Sequence, residues 1–216
     1  MLQKLRHLLF PPKCILCRRL LPHRQADLCP DCRIHTEEFA KPGRNIPFVE
    51  KWTAVWYYGG NVQRSILRYK FYGFRSYAGP YGQLLAMKIQ REYGSDFDLI
   101  TWTPISARRR RSRGYDQTEL LARSAARELG LRLTPTLQKH RHTKPQSSLK
   151  GVAFRRANVM GAYRVLSPET FAGKRVLLVD DIITTGATVS ECARLLLTAG
   201  AKEVYCAALA APHPKK

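Results

Sequence analysis

The chain has 216 residues, enough to bury a real core, and its 44% hydrophobic and 25% charged residues are ordinary globular values, so disorder is not the default reading. Its 37 Lys and Arg against 16 Asp and Glu give a formal charge of +21. Residues 104–175 hold 17 basic and 4 acidic side chains, whereas residues 176–216 hold 4 of each. A basic middle predicts a polyanionic partner, since clustered cations release counterions from phosphates, although a solubilising surface answers to the same composition. No stretch approaches the ~20 apolar residues of a bilayer span.

In chain order, residues 1–10 read as a short amphipathic lead-in, because Lys4, Arg6 and His7 break the apolar run and no small-residue cleavage site follows. A cytoplasmic protein is therefore expected. Four of the six cysteines come next, Cys14, Cys17, Cys29 and Cys32, in a C-x2-C-x11-C-x2-C pattern. Two close thiolate pairs suit a tetrahedral Zn2+ site, and four thiolates leave no position for water or substrate, so the metal's role is read as structural. Disulfides are the competing explanation, which a cytoplasmic setting disfavours. Cys192 and Cys206 lie in apolar stretches and read as buried filler. The Pro- and Gly-bearing segment 41–47 marks a linker, so residues 1–45 are expected to form a zinc-binding module and residues 46–216 a second domain.

From residue 48 onward, β-rich and helical runs alternate. Residues 53–58 read as a strand, 62–71 and 81–93 as helices, 99–103 as a strand ended by Pro104, and a helix capped by Asp116 runs to about residue 129. An extended segment begins at 131–133, and 138–158 has no sustained apolar period and reads as a long loop. Residues 162–166, 175–180 and 204–208 read as strands and 188–198 as a helix. This alternation predicts an α/β domain with a mostly parallel sheet covered on both faces.

The most apolar strand, Val176-Leu177-Leu178-Val179, runs into Asp180, Asp181, Ile182, Ile183, Thr184, Thr185, Gly186, Ala187 and Thr188. Ligands bind at the carboxyl ends of such strands. Helix-start N–H groups and the hydroxyls of Thr184, Thr185 and Thr188 suit a phosphate, and Gly186 permits a tight turn. The paired acids cannot face that phosphate favourably. A sugar diol and the waters of a Mg2+ ion suit them. A second loop, also between a strand and a helix, carries Arg108, Arg109, Arg110, Arg111, Arg113 and Tyr115, placing five arginines at the same sheet edge. Their guanidinium forks match pyrophosphate or nucleic-acid phosphates. Between 69 and 77, aromatic residues alternate with Lys70 and Arg75. They suit base stacking on a single-stranded nucleic acid, or equally a packed helix and its turn; Lys70 alternatively points into the phosphate site.

The run from Val176 to Thr188 resembles the phosphoribosyl pyrophosphate loop of type I phosphoribosyltransferases. That resemblance implies that Asp180 and Asp181 hold the ribose hydroxyls and the Thr/Gly segment the 5-phosphate, with Mg2+ accompanying the ligand. The four-cysteine module ahead of such a domain resembles the ComF competence protein family, which includes GntX-like members. Arg113-Gly114-Tyr115-Asp116-Gln117, Leu67 to Gly73, Gln146 to Leu149, Arg155-Arg156 and Asn158 extend the likeness. The family more usually has Asn where Asp116 stands. Membership implies binding of phosphoribosyl pyrophosphate and single-stranded DNA, DNA uptake in natural transformation, and partners in the competence or recombination machinery. The alternative is an active phosphoribosyltransferase. No acceptor pocket is legible after residue 200, and the fold alone does not license the reaction.

Overall fold

The computed structural model describes residues 11–21, 27–141, 143 and 157–214. The lead-in at 1–10, Gln146 to Leu149 and Arg155-Arg156 lie outside them. Six helices, six strands and two 3-10 turns, the second at Pro168–Thr170, organise the described residues. They are α1 (Pro30–His35), β1 (Trp52–Tyr57), α2 (Gly60–Phe71), α3 (Ala78–Tyr93), β2 (Leu99–Trp102), α4 (Ala107–Arg113), α5 (Gln117–Leu129), β3 (Leu137–Lys139), β4 (Tyr163–Val165), β5 (Arg175–Ile182), α6 (Ala187–Thr198) and β6 (Glu203–Ala211), with a 3-10 turn at Arg75–Tyr77.

Four strands form one parallel sheet in the order β1-β6-β5-β2. β5 is central and apolar because both its faces are covered. Leu177 and Val179 point into a core with Ile66, Tyr81, Leu85 and Leu121, and Val176 and Leu178 into a second core with Phe171, Val189 and Leu196. This period-2 division of one apolar run is what a parallel strand between two helical layers requires. α3 and α5 approach closely on the first face, where a Cβ on Gly82 would lie 2.3 Å from the Ser124 side chain.

The helices after adjacent strands depart to opposite faces: α5 residues Leu121, Ala122 and Ala125 join the first core, and α6 residues Val189, Cys192 and Ala193 join the second. The crevice beyond β2 and β5 is thus a topological switch point, where open α/β sheets bind ligands.

Three expectations need correction. The arginine run is not a loop but the short helix α4, with the Ser106 side chain accepting from Arg109 N at 3.4 Å and Gly114 closing it at φ 75. Its polar sequence hid the helix, because no apolar stripe marks it. The segment 138–158 is not loop throughout, since Leu137–Lys139 is β3, paired antiparallel with β4. The strand expected at 162–166 belongs to that two-stranded hairpin and not to the parallel sheet. The extended segment at 131–133 makes a single parallel bridge, Leu133 to Ile100. No helix among the described residues is long and apolar enough to cross a membrane.

Candidate functional site

A cavity of about 610 Å³ opens at the switch point. Its floor is the run from Asp180 to Val189, its opposite wall Thr103, Pro104 and Ile105, and its rim Lys70 and Phe71 from α2 with Arg109 and Arg113 from α4. All nine residues predicted for the phosphoribosyl loop, Asp180 to Thr188, line it.

β5 carries Asp180 into a buried position at the cavity floor, where burial, followed by repulsion from Asp181, pushes its carboxyl up to about 7. A Thr103 hydrogen bond and Asp181 N–H, 2.8 Å from Oδ1, partly offset this. Asp181 is also buried and is better partnered: Lys70 Nζ lies 2.7 Å from Oδ1, and Gln117 Nε2 donates to Oδ2 at 2.7 Å. Gln117 is itself fixed by Arg113 Nη1, which donates to its Oε1 at 2.7 Å.

Beyond the acids the chain turns at Gly186, φ 76, and enters α6. Thr184, Thr185 and Thr188 border the turn and are half-buried. A linker residue covers this turn: a Cβ on Gly186 would lie 2.9 Å from Ile46 Cδ1. Arg44 from the same linker donates to the Thr184 carbonyl.

The predicted basic set divides. Lys70, Arg109 and Arg113 line the cavity, whereas Arg108, Arg110 and Arg111 do not, Arg110 lying 3.4 Å from Glu119. Burial, then the neighbouring Arg113, lowers the Arg109 pKa. Tyr115 is buried, its hydroxyl donating to the Tyr69 carbonyl. Tyr69 and Tyr77 are also core residues, so packing and not stacking accounts for them. Phe71 and Tyr72 are the exposed aromatics of that run, at 58% and 72%, and Arg113 lies over the Phe71 ring at 4.6 Å.

Several cavity residues escaped the sequence, among them Thr103, which hydrogen-bonds Asp180. Lys139 and Tyr163 face the site from the β3-β4 hairpin, with Lys139 Nζ 3.0 Å from the Tyr163 hydroxyl. Burial, then Arg109, pulls Lys139 down to about 8. At three residues β3 leaves too short an alternation to read, and the strand expected at 162–166 carried no sign of where it pairs. Asp116 lies just outside the cavity and ties it together. One carboxylate oxygen accepts from Ile105 N at 3.0 Å and the other caps α5 through Thr118 N at 3.0 Å and Glu119 N at 3.2 Å.

At the N-terminal end, the sulfurs of Cys14, Cys17, Cys29 and Cys32 all lie within 4.8 Å of one another. Zinc–thiolate bonds of about 2.3 Å in a tetrahedron would set sulfurs roughly 3.8 Å apart, so the donor set and its spacing fit a metal. Cys29 also caps α1, its sulfur accepting from Cys32 N at 3.4 Å. All six cysteines are free, and Cys192 and Cys206 are buried as expected.

Comparison with known proteins gives the chain its relatives. A family model described as "Phosphoribosyl transferase domain" matches residues 118–216. The chain is 30% identical over 204 residues to "DNA utilization protein YhgH" of Salmonella typhimurium, covering 89% of this chain and 88% of the relative. It is 27% identical over 221 residues to "Competence protein F" of Haemophilus influenzae, covering 92% and 96%. To "Competence protein ComFC" of Streptococcus pneumoniae it is 27% identical over 188 residues, covering 87% and 77%.

Proposed function

Because this chain belongs to the ComF competence protein family, we propose that it is a cytoplasmic DNA-uptake protein that binds phosphoribosyl pyrophosphate at the switch-point cavity and single-stranded DNA on the adjoining basic surface. On this reading, residues 1–45 are a module folded around Zn2+ on Cys14, Cys17, Cys29 and Cys32. Residues 46–216 are the phosphoribosyltransferase-like domain, and the competence or recombination machinery supplies its protein partners.

One observation carries the reading: adjacent buried acids and a threonine-rich turn share a single cavity with Lys70, Arg109 and Arg113. Acids are acceptors for the two hydroxyls of a ribose, the turn offers hydroxyl and N–H donors to its 5-phosphate, and guanidinium groups suit the pyrophosphate. The Mg2+ expected with that ligand meets, at Asp181, a carboxylate whose two oxygens are both engaged. For DNA, Phe71, which lies beside Arg113 of α4, and Tyr72 are exposed and offer faces on which bases stack.

Titration calorimetry with phosphoribosyl pyrophosphate tests the reading. Saturable heat is expected from the wild type, with at least about a tenfold loss of affinity in Asp181→Ala. A folded protein that gives no heat refutes it. Incubation of the same ligand with pooled bases then separates binding from turnover: pyrophosphate release that disappears in Asp181→Ala makes the chain a transferase.

A further inference from the structure

Both carboxylate oxygens of Asp181 are already engaged by its own protein. The Lys70 ammonium takes one oxygen and the Gln117 amide the other, each at 2.7 Å, with the Lys70 and Asp181 side chains only 16% and 8% exposed. The amide cannot simply turn away, because its carbonyl end is held by Arg113. A carboxylate in this state still has lone pairs for hydroxyl donors, about four sites in all. It is poorly placed to ligate Mg2+, which demands near-octahedral oxygens at about 2.0–2.1 Å.

The charge in the cavity points the same way. Lys70, Arg109, Arg113 and Lys139 line it against Asp180 and Asp181. An entering divalent cation therefore meets a surplus of fixed cations, whereas a pyrophosphate meets its counter-charge already in place. Lys70 has further N–H donors beyond the one on Asp181 and can reach ligand oxygens while keeping its ion pair.

Resting on the phosphoribosyl reading above, we propose that Lys70 is the resident cation of this site, standing where a divalent metal would otherwise bridge acid and ligand, so that the cavity takes phosphoribosyl pyrophosphate without magnesium. Lys70 is thereby both an affinity residue and the determinant of metal independence.

The test is calorimetry on the full, zinc-loaded chain with resin-depleted phosphoribosyl pyrophosphate, in resin-depleted buffer and in buffer with added Mg2+. A chelator is avoided because it would strip the thiolate cluster. Wild-type affinities are expected to agree within about threefold between the two buffers, while Lys70→Met loses at least about tenfold without metal and recovers part of it when Mg2+ is added. A wild-type affinity that falls about tenfold or more on omission of Mg2+ overturns the proposal. So does a Lys70→Met variant that binds like wild type in both buffers. If circular dichroism shows Lys70→Met unfolded, the wild-type comparison alone decides. No heat from folded wild type in either buffer removes the phosphoribosyl reading itself, and Lys70's role with it, which distinguishes that failure from a metal-dependent site.

Discussion

Asp180 is held under electrostatic stress by its buried position. Its folded carboxyl sits near 7 against an ordinary 3.8, chiefly through burial. Since the folded state holds the proton more tightly, this group favours folding most at acid pH, and the contribution is lost as pH rises from the ordinary carboxylate value to about 7. Asp180→Asn imitates the protonated form. It should raise the unfolding free energy at pH 8 by on the order of 1–3 kcal/mol and flatten the dependence of stability on pH across that window, while weakening phosphoribosyl binding. Denaturant melts at several pH values check the first outcome and calorimetry the second; an unchanged slope would mean the stress is relieved elsewhere. The acid pair was legible in sequence because nine consecutive residues carry the whole motif. Lys139 and Tyr163 were not, being brought in by the pairing of a three-residue strand with one more than twenty residues later.

At the scale of an element, α4 converts a run of arginines into two populations. Arg109 and Arg113 are four apart and share the face toward the cavity, while Arg108 and Arg111 lie off it. Arg109→Ala with Arg113→Ala should cost at least about tenfold in phosphoribosyl pyrophosphate affinity, by removing charge-assisted donors from an enclosed site. Arg108→Ala with Arg111→Ala should leave that affinity within about twofold and reduce the log–log salt slope of single-strand binding by about 0.7 per lost phosphate contact. If both pairs act alike in the two assays, the division by face is wrong. The helix's limits were present in sequence as Ser106 and Gly114, a cap and a terminator. An all-polar stretch between them offered no period to connect the two. The longer elements were read within a few residues, since β5 and α6 bury contiguous apolar residues that have few alternative structures.

Across the whole molecule, the cysteine cluster is built into the larger core. Arg68 donates to the carbonyls of Ile15 at 3.1 Å and Leu16 at 2.6 Å, the Ser65 hydroxyl also donates to Ile15 O, and Cys14, Ile15 and Leu16 share one apolar cluster with Tyr81. These contacts brace α2 two residues from Lys70. Metal analysis should find one zinc per chain, lost in Cys29→Ser. With structural zinc worth roughly 10–16 kcal/mol of binding free energy, the variant should melt at least about 5 °C lower. It should also lose phosphoribosyl affinity through the unbraced helix. A variant that retains both the wild-type melting point and ligand affinity would show that the thiolates brace nothing. A sequence reading places the cluster and the cavity in separate stretches, because hydrogen bonds from a side chain at 68 to carbonyls some fifty residues earlier leave no local trace.

Gly186 is closed from two directions, by a left-handed backbone and by Ile46 lying where a side chain would begin. Trimming Ile46 would restore the room but not the torsional freedom, so no pair of mutations, in either order, opens the position to an L side chain at no cost. Descendants of this sequence that keep the linker across the turn are therefore bound to keep the bare backbone beneath it.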